Sequence, residues 1–483
     1  MLTAFLILWP ALAALLVLLV KGQSAKKVAF GAALLELVVG VWAWINFNPT
    51  LSSPQFLLNE PWVASAGIAF KVGMDGISLL MVLLTVFLVP LIILASFKND
   101  YEKPSSFFAL ILFMQTGLVG VFTALDAFLF YFFWEVALIP IYFIAALWGG
   151  ADRIRVTFKF FIYTVFGSLF MLAAFVYLYF QTPGTHSSEE VAFYQLVLDS
   201  GTQSWLFWFL FIAFAIKMPV FPFHTWQPDT YTEAPAAGTM LLSGIMLKMG
   251  IYGALRWLLP VVPLGVSQWA DVALVLAIIG IIYGAIIAIR QHDMKRVVAF
   301  SSISHVGLIA AGLFTLNEQG LQGVMIQMLS HGVNVVGLFF IIDIIQRRLG
   351  TREIAAMGGI TQNAPFMTVC FMVLMLGAVA LPLTNGFVGE FLLLMGVFRY
   401  EAWMGAVAGI TIILGAVYML RMFQRVMFGE KNEITQAFTD LTFTEKAVLV
   451  PLVVMVFWIG LHPNTFLSIS EPAILNLLEV IKR

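Results

Sequence analysis

Residues 204–259 read SWLFWFLFIAFAIKMPVFPFHTWQPDTYTEAPAAGTMLLSGIMLKMGIYGALRWLL. Two apolar runs lie in this stretch, 204–223 and 236–259, each close to the ~20 residues that cross a bilayer as a helix. Each also carries a lysine, Lys217 and Lys248, which a lipid-facing span rejects. Pro219 and Pro222 follow Lys217 almost at once. Proline lacks the backbone N–H that continues a helix, so the first run is expected to break there. Broken backbone at membrane depth is tolerated only where it is buried in protein or lines a watery cavity. The stretch therefore predicts a helical membrane protein with a polar interior.

Composition extends that reading to the whole chain. Of 483 residues, 61% are hydrophobic and 11% charged, and the mean hydropathy is +0.98. Water-soluble chains carry roughly a quarter charged residues, so a soluble enzyme of this length is excluded. The net charge of −1 shows no bias toward nucleic acid. Cys370 is the sole cysteine, which rules out an internal disulfide and any iron–sulfur or metal site built on cysteine clusters. There is no Gly-rich dinucleotide fingerprint and no P-loop. The first run, MLTAFLILWPALAALLVLLVKG, has Lys21 behind it and no basic segment ahead, so it reads as a retained span and not as a signal peptide.

Runs long enough to span fall at 2–20, 27–46, 76–96, 106–124, 127–148, 157–180, 204–223, 236–259, 270–290, 295–315, 321–346, 365–398, 403–428 and 444–462. The fold class is an all-α polytopic membrane protein of about 14 transmembrane helices. Run 365–398 is too long for one straight span and holds Pro382 and Gly386, so a second broken helix is expected. The mixed segment 60–74 is placed at the membrane surface. Loops after odd-numbered runs hold eighteen basic residues, whereas the opposite side holds five, among them Lys71, Arg256, Lys482 and Arg483. By the positive-inside rule both termini lie on the outer, periplasmic face of a bacterial inner membrane. The two breaks, at prolines 163 residues apart, predict two inverted-topology five-helix repeats. The divisions are 1–103 (helices 1–3), 104–260 (first repeat, helices 4–8), 261–430 (second repeat, helices 9–13) and 431–483 (C-terminal transmembrane helix).

Four ionisable residues sit inside apolar spans: Glu135 in FLFYFFWEVALIPIYF, Lys217, Lys248, and Glu390 in NGFVGEFLLLMGVF. Each costs roughly 3 kcal/mol at the bilayer centre unless paired or hydrated. A structural ion pair needs one acid and one base, and two of each on four separate spans exceed that need. Lysine suits a proton relay because it can release its proton within a protein, which arginine does not do. His305 and His331 lie on consecutive spans beside Ser301, Ser302, Ser304 and Ser330, with Asn334 one turn beyond. A lone histidine on an apolar helix is commonly a satisfied core residue, but two among hydroxyls read as a hydrated path. No metal-ligand spacing is present. Glu36, in the second run, is a further intramembrane acid without an obvious partner.

These stretches also carry a resemblance. KMPVFPFHTWQPDTYTEAPAAGTMLLSGIMLKMGIYG, FYFFWEVALIPIYF, KFFIYTVFGSLFMLAA, DMKRVVAFSSISHVG and LPLTNGFVGEFLLLMG resemble the antiporter-like subunits of respiratory complex I and related cation antiporters, from about the fourth helix to the thirteenth. Within that family a glutamate at Glu390, where L- and N-type subunits and antiporters carry lysine, resembles the M-type (chain 4) branch. The resemblance implies a proton-translocating subunit of an NADH:quinone oxidoreductase, an enzyme whose NADH, FMN, iron–sulfur and quinone sites belong to partner subunits, with neighbours of the L and N types. It implies a Glu135–Lys217 ion pair, a link through Lys248, and a hydrated axis through His305 and His331 to Glu390, with His224 as a possible lining residue. Where many relatives have a second histidine before Glu-Ala-Pro, this chain has Tyr231. The alternatives are a subunit of a cation/proton antiporter or of a membrane-bound hydrogenase complex, or a passive scaffold in which neutralising these residues harms assembly alone.

Overall fold

A computed structural model describes residues 1–482; Arg483, counted above among the outer-side cations, lies outside the described residues. The chain opens with α1 (Leu2–Leu19) and α2 (Ser24–Ile45), then a hairpin of β1 (Gln55–Val63) and β2 (Ile68–Met74). The strands pair antiparallel, with Leu58 opposite Val72 and Glu60 opposite Phe70. Gly67, at φ +62°, takes the left-handed conformation that the hairpin needs. Helices α3 (Gly76–Ala95), α4 (Pro104–Thr123), α5 (Ala127–Trp148) and α6 (Arg153–Gln181) follow, then a short surface helix, α7 (Glu190–Tyr194).

Helix α8 (Ser200–Lys217) ends at the first break, and α9 (Gln227–Glu233) resumes beyond it. The next crossing, Ala236–Leu258, is α10 (Ala236–Leu241) and α11 (Lys248–Gly253) interleaved with two π-helical turns, Leu242–Met246 and Ala254–Leu258. Then come α12 (Pro263–Arg290), α13 (Met294–Leu313), α14 (Glu318–Leu349), α15 (Pro365–Ala378), α16 (Asn385–Tyr400), α17 (Ala402–Ala408), α18 (Ile410–Met427), α19 (Phe443–Leu461) and α20 (Asn464–Ile481).

Among the described residues, twelve helices are long and apolar enough to cross a membrane. The two expected runs missing from that set are the ones that break, α8–α9 and α15–α16. Proline accounts for both interruptions, and the carbonyls freed there find new donors, as buried polar backbone requires. Trp226 Nε1 donates to the Ile216 carbonyl at 2.9 Å, and Val220 N to Ala215 at 2.9 Å. At the second break Leu381 N donates to Leu376 at 3.0 Å and Thr384 Oγ1 to Leu381 at 2.6 Å.

Two elements depart from the sequence reading. Segment 60–74 holds the end of β1, the turn and all of β2 of a β-hairpin, whose strands satisfy each other's backbone. Helix α20 was not anticipated beyond the last span. It buries Phe466, Ile469, Ala473, Ile474 and Leu477 along one stripe, an amphipathic pattern too polar on its other side to register as a crossing.

Burial is graded from rim to centre. Helices α1, α2 and α6 point Leu12, Leu15, Val38, Phe158 and Phe166 outward, as a lipid-facing wall does. By contrast, Ala236–Leu258 is wholly buried, and α13 and α14 are 94% buried over their apolar windows. The helices that carry Lys248, His305 and His331 are therefore the core of the molecule.

Polar contacts gather at the two ends. One end joins the hairpin, α7 and the first turn of α3, through Lys71–Glu189 (2.6 Å) and Asp75–Arg256. The other holds Lys159–Asp229 (3.0 Å), Arg352–Asp293 (3.0 Å) and Arg348–Glu445 (2.5 Å), and it is the end rich in basic residues.

Candidate functional site

The site begins in the distorted crossing. The wide turn at Leu242–Met246 sends the amide of Leu247 back to Leu242 (3.1 Å) and leaves the Ser243 carbonyl to a side chain. The Lys248 ammonium donates to that carbonyl at 2.6 Å and meets His331 Nδ1 at 2.9 Å. His331 Nε2 in turn meets Ser302 Oγ at 2.9 Å. The imidazole thus bridges a lysine on one helix to a hydroxyl on another, each group fully or nearly fully buried.

From His331 the series continues to His305, with the rings 6.2 Å apart. A cavity of about 10 Å³ lies between them, lined by Ser301, His305, Gln327, His331 and Asn334, with room for about one water. His305 Nδ1 stands 3.0 Å from Glu390 Oε1, an ion-pair distance without the alignment of a hydrogen bond. Gly389 lets Gln327 reach this place, since a Cβ there would lie 2.1 Å from Gln327 Oε1. Asn385, at the start of α16, ties the second break to α14 through Asn334 Oδ1 (3.1 Å) and the Ser330 carbonyl (3.3 Å). The break thereby positions Glu390 against α13 and α14.

The first break positions Lys217 differently. Its Nζ is buried, has no hydrogen-bond partner and lies 5.2 Å from the centroid of the Trp134 ring. Glu135, the next residue on α5, does not pair with it: Lys217 Nζ and Glu135 Oε1 both lack a hydrogen-bond partner. The expected pair is therefore open in this structure. Glu135 is only partly buried, unlike the rest of the series. Gly250 and Gly253 bring α11 against the end of α8; a Cβ on Gly250 would lie 2.7 Å from Met218 N and Phe214 O.

His224 stands apart. Its ring stacks on Phe221 (5.5 Å) and meets Tyr283 (5.0 Å) on α12, away from the series, and its Nδ1 has no partner. Glu36 is fully buried with both carboxyl oxygens unpartnered.

The structure adds residues that the sequence reading passed over. Tyr418 donates to Ser301 Oγ at 3.1 Å and also lines a 240 Å³ cavity at the basic end with Arg290, Arg421 and Arg425. Its helix looks like an ordinary amphipathic span, so no local signal marks it. Lys295, read as a loop cation, is buried and donates to Ala234 O at 2.6 Å beside a 570 Å³ cavity. Gln327 was legible in principle, one turn before His331 on the same face. Among the described residues no group of His, Cys, Asp and Glu has the arrangement of a metal site.

The chain matches the family model described as NADH:quinone oxidoreductase/Mrp antiporter, TM, over residues 124–415, and that of NADH-ubiquinone oxidoreductase chain 4, amino terminus, over residues 30–121. It is 38% identical to NADH-quinone oxidoreductase subunit M of Rickettsia typhi, covering 97% of both chains. It is 35% identical to NADH-ubiquinone oxidoreductase chain 4 of Marchantia polymorpha, covering 98% of this chain and 96% of that one. Among solved structures it superposes on a chain of respiratory complex I from Thermus thermophilus with TM-score 0.93, 28% identity and full coverage of both. A chain of the Mrp complex from Dietzia shares the fold at TM-score 0.87, 21% identity, and 99% and 98% coverage.

Proposed function

Because this chain belongs to the NADH:quinone oxidoreductase/Mrp antiporter family, in its subunit M (chain 4) branch, we propose that it conducts protons across the membrane within an assembled NADH:quinone oxidoreductase. The observation that carries this reading is the series Lys248, His331 (with Ser302), His305 and Glu390 through the most buried part of the molecule, with contacts of 2.9–3.0 Å at its two ends and 6.2 Å between the two imidazole rings. A core without such a role fills that volume with hydrocarbon, since each ionisable group at mid-membrane costs roughly 3 kcal/mol.

In this reading a proton held on the Lys248 ammonium passes to His331 Nδ1, and the lysine nitrogen keeps the electron pair. The imidazole releases its other proton from Nε2 toward the space beside His305. His305 and Glu390 then hold or yield that proton according to whether their 3.0 Å contact is closed. Lys217 and Glu135 form the second unit, whose pair opens and closes as the proton moves. Driving energy comes from quinone reduction elsewhere, with NADH, FMN, iron–sulfur clusters and quinone held by partner subunits and with L- and N-type subunits alongside. Both termini lie on the periplasmic face of a bacterial inner membrane, with five-helix repeats at 104–260 and 261–430.

Replacing Lys217 by Ala in the assembled complex tests the assignment. Proton transport coupled to NADH oxidation should fall by roughly 10²-fold, the contribution typical of a positioned proton-transfer group. Undiminished transport by a correctly assembled Lys217→Ala complex would overturn the reading.

A further inference from the structure

At the end of the molecule opposite the basic cavities, the crossing that carries Lys248 continues to Tyr252 and Arg256, spaced one turn apart on one face. Both are buried, and both enter a single hydrogen-bonded cluster. The Tyr252 hydroxyl shares a hydrogen with Ser78 Oγ at 2.9 Å and donates to the Phe122 carbonyl at 2.9 Å. Arg256 donates to Ser78 Oγ at 3.2 Å and pairs with Asp75, the cap of α3. Tyr194 donates to the Arg256 carbonyl at 2.8 Å and stands 3.5 Å from Glu190 Oε2.

Charge in this cluster does not balance internally. Arg256 is committed to Asp75, so Glu190 is a surplus acid, 6% exposed. Next to it in the chain, Glu189 is paired with Lys71 at the solvent rim, with 30% and 19% of the two side chains exposed. The groups around Glu190 are Arg256 and Tyr252 of the crossing, Asp75 of α3, Lys71 of β2, Tyr194 of its own helix, and Asp126, whose neighbour Leu125 accepts the Glu190 amide at 3.1 Å. A pair that only staples α3 to the crossing needs neither this second acid nor the two tyrosines.

We propose that Tyr252, Ser78 and Glu190 form the outer release path for protons leaving Lys248, with Arg256 and Asp75 as positioning residues; the proposal rests on the proton-conducting reading above. In the release direction Lys248 is supplied from His331, the reverse of the step above. Its ammonium, whose nitrogen keeps the electron pair, gives its proton to a bridging water, since its own hydrogen bonds go to Ser243 O and His331 Nδ1. That water protonates the Tyr252 oxygen as the Tyr252 hydrogen, which at rest points to the Phe122 carbonyl, turns to Ser78 Oγ. Ser78 gives its own hydrogen to a second bridging water, and the Glu190 carboxylate takes a proton from that water and delivers it to the outer solvent. One proton enters, one leaves, and both hydroxyls are regenerated. Burial pushes the Glu190 carboxyl up to about 7, with Arg256 opposing, so the group exchanges protons near neutral pH. Below about 7 it stays protonated and cannot accept the next proton; above about 7 it is ionised and ready.

The test uses the assembled complex in sealed membrane vesicles, with proton transport and NADH oxidation followed across pH 6–8. Wild-type coupled transport should rise with outer pH through about 7. Glu190→Gln should lower it roughly tenfold or more and flatten that rise, while Glu190→Asp restores both. Tyr252→Phe, which removes one oxygen and leaves the ring, should lower transport without loss of assembled complex. Normal transport and an unchanged pH profile in Glu190→Gln or in Tyr252→Phe would overturn the release path. If Glu190→Gln fails to assemble, Tyr252→Phe and Glu190→Asp decide alone. Lys217→Ala run in parallel separates the two levels: its failure to reduce transport sinks the parent reading, whereas reduced transport there beside a normal Tyr252→Phe sinks only the release path.

Discussion

His331 is the residue on which the site turns, since its two ring nitrogens are both engaged, one by Lys248 and one by Ser302. Only imidazole offers two nitrogens that exchange donor and acceptor roles, which is what a relay between two helices requires. His331→Ala leaves the ammonium with the Ser243 carbonyl alone and should reduce coupled proton transport by roughly 10²-fold. Ser302→Ala removes a single hydroxyl, worth about 1 kcal/mol, and should cost far less, so transport assays on the two variants side by side check this ordering. Six of the residues singled out from sequence, Glu135, Lys217, Lys248, His305, His331 and Glu390, were visible because an ionisable group in an apolar span is conspicuous. Their pairing was not visible, because spacing along the chain carries no information about which faces of separate helices meet.

At the scale of elements, the breaks and the close helix contacts govern the geometry. Gly250 lets α11 settle on the end of α8 beside Lys217. Gly250→Ala would put a methyl 2.7 Å from the Met218 amide and the Phe214 carbonyl, backbone atoms that cannot turn aside. Overpacking of this kind costs roughly 1–3 kcal/mol, and it should appear as a lower melting temperature of the detergent-solubilised complex. The second break holds Ala380 at φ +57° and Leu383 at φ +75°, conformations that cost side-chain-bearing residues roughly 1 kcal/mol or more each. Ala380→Gly should therefore raise thermal stability slightly, and a fall would show that the methyl packs more usefully than its backbone is strained. Pro219 and Pro382 announced both breaks in the sequence. The hairpin and α20 escaped, since a nine-residue strand and a half-polar helix fall outside the pattern by which spans are found.

For the whole molecule, the concentration of basic residues at one end is an orientation statement with a direct check. In a chain with Cys370 replaced by Ser, a cysteine at Glu60 in the hairpin should react with a membrane-impermeant maleimide added to intact cells. One at Lys431, in the loop between α18 and α19, should react only after permeabilisation. The reverse pattern would invert the molecule in the membrane and exchange the roles of its two ends. Removing α20 by ending the chain before Asn464 should weaken the complex, because this helix packs on α3 and α14 and its Ser470 hydroxyl donates to Gln322 at 3.1 Å. Loss of assembled complex on native gels measures that.

By itself the sequence determined that this is a helical membrane protein, where its long apolar crossings run, which two break, and which charges are misplaced in hydrocarbon. Those conclusions follow from solvation, which acts residue by residue and leaves its record in composition. Tertiary structure alone decided that Lys248 meets His331, that Lys217 and Glu135 stand apart, that His224 faces α12, and that Arg256 and Lys295 are buried instead of loop cations. These depend on which faces of distant helices come together, and packing of that kind is a property of the assembled bundle, not of any local stretch.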